Sequence, residues 1–205
     1  MIRILVAEDH VVARVGVITI VNMQPDMTVI AEAADGRQAV ELYRDHLPDL
    51  ALIDMRMPIL SGIDATLAIR AEFPDARLIA LTTYGGDADI RRAMKAGVQA
   101  YVTKDLLQDE LLRAIRAVNN GEQYVPASLA AALVTQGTRP ELSPREMQVL
   151  ELIVGGLINK QIAYSLNLAE YTVKNHVKRI LKKLEVQDRT QAVAVAIQRG
   201  IIHIY

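Results

Sequence analysis

With 205 residues, 51% of them hydrophobic and 23% charged, the chain is long enough for one large or two small domains with packed cores. It contains no cysteine, which excludes disulfides, thiolate metal sites and cysteine nucleophiles. No apolar run reaches the roughly eighteen residues of a membrane span, and Glu8 and Asp9 interrupt the start too early for a signal peptide, so a soluble cytoplasmic protein with no membrane partner is expected. The net charge of -1 conceals an asymmetry. Residues 1–121 carry 13 Lys/Arg against 17 Asp/Glu, whereas residues 122–205 carry 10 against 7. Different partners for the two halves follow from that difference.

The first half alternates short apolar runs with helical periodicity. Ile2–Ala7, Thr28–Ala31, Leu50–Ile53, Arg77–Leu81 and Ala100–Val102 have the composition of strands, and stretches near 11–22, 36–46, 62–73, 87–96 and 106–119 that of helices. The strand runs are apolar without strict alternation, which fits strands buried on both faces of a parallel sheet. Five such units with right-handed crossovers are served by the flavodoxin-like order 2-1-3-4-5. The expected class is therefore an α/β domain over residues 1–121.

The stretch 122–140, with Pro126 and Gly137-Thr138-Arg139-Pro140, has the composition of a linker with room for a short helix at 127–134. A second domain, 141–205, is expected to be all-α. Its first helix opens at Leu142-Ser143-Pro144-Arg145-Glu146-Met147, where Ser143 and Glu146 form a capping box, Pro144 suits the first helical position, and Leu142 and Met147 can form a hydrophobic staple. Gly155-Gly156 ends it. A second helix starts at Asn159 or Lys160 and stops near Leu166, a third spans about 170–184, and Asp188 caps a fourth.

In a parallel sheet, function gathers beyond the carboxyl ends of the strands. Those positions hold Glu8 and Asp9 after the first strand, Asp54 after the third, Thr82 after the fourth and Lys104 after the fifth. Converging carboxylates repel one another unless a hard cation such as Mg²⁺ joins them, and Mg²⁺ favours a few carboxylates, waters and phosphate oxygens. Lys104 and Thr82 add a positive charge and a hydroxyl suited to phosphoryl oxygens. Together these groups point to phosphoryl transfer.

Glu8-Asp9, Asp54-Met55-Arg56-Met57-Pro58 with Gly62, Leu81-Thr82 and Tyr101-Val102-Thr103-Lys104 resemble the receiver domains of two-component response regulators, a likeness covering nearly all of residues 1–121. The resemblance implies that Asp54 takes a phosphoryl group from a sensor histidine kinase. It also implies that Asp9 and the Arg56 carbonyl bind Mg²⁺, with Glu8 acting directly or through water. By the same likeness Lys104 binds the phosphoryl group, and Thr82 and Tyr101 form a switch. Ala100 stands where such receivers often carry glycine, and Thr83 where they carry a smaller residue.

In the third C-terminal helix Val173, Val177, Ile180, Leu181 and Leu184 fall on one stripe. Tyr171, Lys174, Asn175, Lys178 and Lys182 recur on the other, flanked by Arg179 and Lys183, a cationic surface suited to a phosphate backbone. The preceding helix and the short Asn167-Leu168-Ala169 connection have helix-turn-helix spacing. The motifs Leu142–Glu146, Asn159–Ala163, Thr172–Val177 and Lys183-Leu184 resemble the LuxR-type helix-turn-helix. With the receiver they are similar to the NarL/FixJ class. That resemblance implies base-edge contacts by Lys174, Asn175 and Lys178, and phosphate contacts by Lys160, Thr172 and Arg179, with Asn175 suited to adenine. Ala169 replaces the usual Ser or Thr cap and Asn167 the usual glycine. Val193, Val195 and Ile197 on the last helix exceed the needs of a three-helix core, and in this class that helix pairs two copies, so a homodimer on double-stranded promoter DNA is expected. RNA polymerase is a further expected partner.

Two other readings compete. An Mg²⁺-dependent phosphatase also uses an aspartyl nucleophile, but Arg56 stands where a second acid would be needed. Alternatively, the receiver is a phosphorylation-independent dimerisation module of a DNA-binding protein.

Overall fold

The computed structural model describes residues 1–82, 86–104, 108–125, 140 and 142–202. They form two compact units, one built on a sheet and the other on C-terminal helices. In the first, strands β1 (Ile2–Ala7), β2 (Met27–Ala33), β3 (Leu50–Asp54), β4 (Leu78–Thr82) and β5 (Ala100–Thr103) alternate with helices α1 (Val11–Asn22), α2 (Gly36–His46), α3 (Gly62–Glu72), α4 (Asp87–Ala96) and α5 (Gln108–Asn119). All neighbouring strands are parallel, in the order β2-β1-β3-β4-β5. This is the expected flavodoxin-like arrangement.

Burial follows from the continuous apolar runs. Every residue of β3, β4 and β5 is buried, as are Ile4 to Ala7 of β1. Ile4, Val6, Leu52, Ile79, Leu81 and Val102 pack with Val21 of α1 and Leu111, Leu112, Ile115 and Val118 of α5. The strands differ from expectation at their ends. Asp54 and Thr82 are the last residues of β3 and β4 and not the first of the following loops, because Asp54 pairs in register with Leu81 and Thr82 with Thr103. Strand β2 is longer than the run Thr28–Ala31. Asp35 caps α2 by accepting from the amides of Arg37 (2.8 Å) and Gln38 (2.9 Å), which restores hydrogen bonds that the helix start lacks.

Beyond α5 the chain first runs beside β5. Tyr124 donates its amide to the Gln99 carbonyl (3.0 Å) and accepts from the Tyr101 amide (3.3 Å). The short helix expected at 127–134 lies outside the described residues.

The second unit contains α6 (Pro144–Val154), α7 (Asn159–Ser165), α8 (Glu170–Leu184) and α9 (Arg189–Gln198), with no strand among its described residues. Its core joins Val149, Leu150 and Ile153 to Ile162, Val173, Ile180, Leu184 and Ala192, and Leu142 and Met147 pack half-buried against it. The capping box is complete: the Ser143 amide donates to Glu146 Oε2 (2.7 Å) and the Glu146 amide to Ser143 Oγ (3.3 Å). Asp188 accepts from the Gln191 amide at 2.8 Å at the start of α9.

Candidate functional site

The acidic end of β1 is held from two sides. The Glu8 amide donates to the Ala33 carbonyl (3.0 Å), which keeps the residue in line with the sheet. Arg14, one turn into α1, donates from Nη1 to the Glu8 carbonyl (2.6 Å) and lies 3.7 Å from Glu32. Arg14 escaped the motif reading. Its signal is its isolation as the one charged residue in the apolar run Val11–Val21. The Glu8 side chain is fully buried and that of Asp9 is 28% exposed. The His10 amide donates to Glu8 Oε1 (3.1 Å), and its Nδ1 lies 3.1 Å from Asp9 Oδ1. Ligand-type atoms of Glu8, Asp9 and His10 thus lie within 4.8 Å of one another. His10 stands at the start of α1 and makes no side-chain cap there.

Asp54 lies outside that compact group and is tied instead to Lys104, whose Nζ sits 3.0 Å from Asp54 Oδ2 and 2.5 Å from Glu8 Oε2. One ammonium therefore serves two buried carboxylates. The other Asp54 oxygen accepts from the Arg56 amide at 3.2 Å. Burial pushes the Asp54 carboxyl up to about 6; Lys104 and the Arg56 amide oppose that rise, and the neighbouring Glu8 charge adds to it. The site is short of positive charge, with Lys104 alone facing Glu8 and Asp54 and the Asp9 carboxylate beside them. The oxygens of Glu8, Asp9 and Asp54 are a hard donor set that a divalent cation would satisfy.

Thr82 is almost wholly buried, and its carbonyl accepts from the Lys104 amide (2.6 Å), which locks the ends of β4 and β5 together. Tyr101 is fully buried and shares a hydrogen bond with the Thr82 side chain. Burial holds its phenol well above the ordinary value. The ring lies wholly inside the domain. Gly62 closes the floor, since a Cβ there would stand 2.0 Å from the Asp54 carbonyl oxygen, and its own amide donates to Met55 O (3.2 Å). Thr83 lies outside the described residues.

In the helical unit, Lys174, Lys178, Arg179 and Lys182 on α8 and Lys160 on α7 are exposed, while Thr172 and Asn175 are half-buried. Tyr171 is 74% exposed one turn before Lys174. Lys183 is not part of this surface. Its Nζ donates to the buried Glu146 carboxylate (2.7 Å), so it braces α8 against the start of α6. Burial tends to raise the Glu146 carboxyl, but Lys183 and the Ser143 amide and hydroxyl outweigh it and hold the group below the ordinary range. Asn167 adopts φ 52, the left-handed geometry its side chain tolerates, and Ala169 provides no side-chain cap, as expected of both departures. Val193 and Val195 pack half-buried against the core, and Ile197 is 37% exposed.

Residues 4–116 match the response regulator receiver domain family, and residues 140–196 match the bacterial regulatory proteins of the luxR family. The chain is 38% identical over 212 residues to the transcriptional regulatory protein YxjL of Bacillus subtilis, covering 98% of this chain and 97% of that one. It is 36% identical over 206 residues to the response regulator VraR of Staphylococcus aureus, covering 98% and 99%. The response regulator ChrA of a heme-sensing two-component system aligns with TM-score 0.59 at 35% identity, over 98% of both chains. RcsB of Salmonella enterica serovar Typhimurium, bound to a promoter in the presence of a phosphomimetic, shares the fold with TM-score 0.74 at 23% identity, over 96% and 98%. No helix among the described residues is long and apolar enough to cross a membrane. The buried acid cluster at the strand ends, the cationic helix-turn-helix and these likenesses together place the chain among the two-component response regulators, as a transcription factor with a receiver domain and a LuxR-type DNA-binding domain.

Proposed function

We propose that the protein is a cytoplasmic, phosphorylation-regulated transcription factor whose phosphoacceptor is Asp54. The observation that carries this reading is the single Lys104 ammonium shared by Asp54 and Glu8, which leaves the cluster short of positive charge. A carboxylate oxygen of Asp54 attacks the phosphorus of a phosphohistidine on the sensor kinase, the P–N bond breaks, and its electron pair returns to the imidazole. Glu8, Asp9, Asp54 and the Arg56 carbonyl are the groups that would hold Mg²⁺, which when bound supplies positive charge to the phosphoryl oxygens. Lys104 follows the new charge onto a phosphoryl oxygen. Thr82 turns its hydroxyl to another, and because Tyr101 is bonded to Thr82, that movement reaches the α4–β5 surface.

The output is carried by α8 in the major groove, with Lys174, Asn175 and Lys178 at base edges and Lys160, Thr172 and Arg179 on phosphates. Residues 1–121 are the receiver, 122–140 the linker and 141–205 the DNA-binding domain. A homodimer pairs through Val193, Val195 and Ile197 of α9 on promoter half-sites, where RNA polymerase is recruited. Incubation with acetyl phosphate and Mg²⁺ adds one phosphate to the wild type and none to Asp54→Ala, read by intact mass. An unmodified wild type, under conditions that phosphorylate a control receiver, overturns the reading.

A further inference from the structure

Arg56 stands two residues beyond Asp54, and its amide donates to Asp54 Oδ1 at 3.2 Å. Its guanidinium points elsewhere. Nη2 lies 3.8 Å from Oδ2 of Asp89, an acid on α4 whose side chain is 11% exposed. The other Asp89 oxygen, Oδ1, accepts from Arg92 Nη2 at 2.6 Å, one turn along the same helix. The two pairs differ in strength. The Arg92 pair has hydrogen-bond length, whereas the Arg56 pair is a looser charge contact. The charges of Asp89, Arg56 and Arg92 all act on the buried Tyr101 phenol, Asp89 in the opposite sense to the two arginines.

We propose that Asp89 is a positioning residue that competes with the oxyanion on Asp54 for the Arg56 guanidinium. A phosphoryl group carries about -1.5 to -2 charges at pH 7, against a single carboxylate charge on Asp89, and its oxygens accept the planar guanidinium fork bidentately. Arg56 is anchored beside Asp54 by its own backbone, so only its side chain has to swing. With Asp54 unmodified, Asp89 holds that side chain on α4; with an oxyanion present, Arg56 crosses to it and the link to α4 is broken. Asp89 thereby sets how tightly the receiver holds the oxyanion, and it couples the occupancy of Asp54 to α4. This rests on Asp54 being the phosphoacceptor.

The test is titration of the full-length protein with beryllofluoride and Mg²⁺, an anion that mimics the phosphoryl group on a carboxylate. Asp89→Asn is expected to bind it five- to tenfold more tightly than wild type, and Asp89→Glu within about twofold of wild type, because the competing charge is restored. Arg56→Ala binds more weakly, and in the Arg56→Ala background Asp89→Asn has no further effect. The Arg56 side-chain Nε–H resonance shifts on titration of the wild type, a change that a merely structural Asp89–Arg92 brace would not produce. Equal binding by wild type and Asp89→Asn, or an undiminished Asp89→Asn effect without Arg56, overturns the proposal. A wild type that does not bind beryllofluoride at all sinks the phosphoacceptor reading, and this proposal with it.

Discussion

Each unit of the molecule contains a buried carboxylate beside a lysine, and the two are driven in opposite directions. Asp54 meets Lys104 at 3.0 Å and is pushed up to about 6, whereas Glu146 meets Lys183 at 2.7 Å and is held below the ordinary range. Distance does not explain the contrast; the burial of Asp54 comes first, and the division of its lysine adds to it. Lys104 is divided between Asp54 and Glu8, so the receiver buries two negative charges against one positive. Lys183 serves Glu146, and the Ser143 amide and hydroxyl complete its hydrogen bonds. A satisfied buried acid is a structural brace; an undersupplied one is a site waiting for charge.

Removing the satisfied acid has the largest expected effect. Glu146→Ala strands Lys183 and the first turn of α6, and destabilises the helical unit by roughly 3 kcal/mol at pH 7, read by amide exchange of its core. Since the folded carboxyl lies below its unfolded value, this stabilisation is present above the unfolded pKa of about 4.3. It disappears as pH falls through the folded value. A loss that persists undiminished in acid would mean that Glu146 acts by packing alone.

The undersupplied acid has the opposite sign. With its folded value raised, ionised Asp54 costs the receiver stability, so Asp54→Asn is expected to stabilise the Mg²⁺-free receiver by about 2 kcal/mol at pH 8. The gain shrinks as pH drops through 6 and vanishes below the ordinary aspartate value of about 3.9, where the folded and unfolded carboxyl groups are both protonated. Mg²⁺ affinity of the wild type falls as pH drops over the same interval, because binding displaces a proton. A pH-independent stability difference between Asp54→Asn and wild type would remove ionisation of the buried carboxyl as the cause.

The smallest effect belongs to the exposed lysines, whose charge is neither buried nor crowded. Lys178→Ala is expected to weaken DNA binding about tenfold and to lower the dependence of log K on log salt by about 0.9 if it meets a phosphate. For the base-edge role proposed here the salt slope changes little and the preferred sequence relaxes. Fragment selection with both proteins separates the two.

Local sequence made most of the fold legible. Alternating apolar runs and helical stretches specify five buried strands with crossovers, and the caps at Ser143 and Asp188 and the turn at Asn167 depend on residues only a few positions apart. The motif residues Glu8, Asp54, Thr82 and Lys104 are readable for the same reason, since each stands at the carboxyl end of a strand, Asp54 and Thr82 as its last residue and Glu8 and Lys104 just beyond it. Contacts between distant residues were not readable. Lys183 has the same charge and helical spacing as its exposed neighbours, and only the packing of α6 on α8 assigns it to Glu146. Arg44 likewise reaches Glu72 on the neighbouring helix α3, 28 positions along the chain. Ile59 adopts φ 69 in the loop after Pro58, an unfavourable conformation for a β-branched residue that no local pattern announces.

By itself, then, the sequence determined which segments are strands and helices, which faces are buried and which chemical groups stand at the strand ends, because those properties depend on near neighbours and periodicity. The tertiary structure decided how one lysine is divided between two acids, where Tyr101 points and which cation Asp89 holds. Those depend on distances between residues that are far apart in the chain and brought together by the sheet.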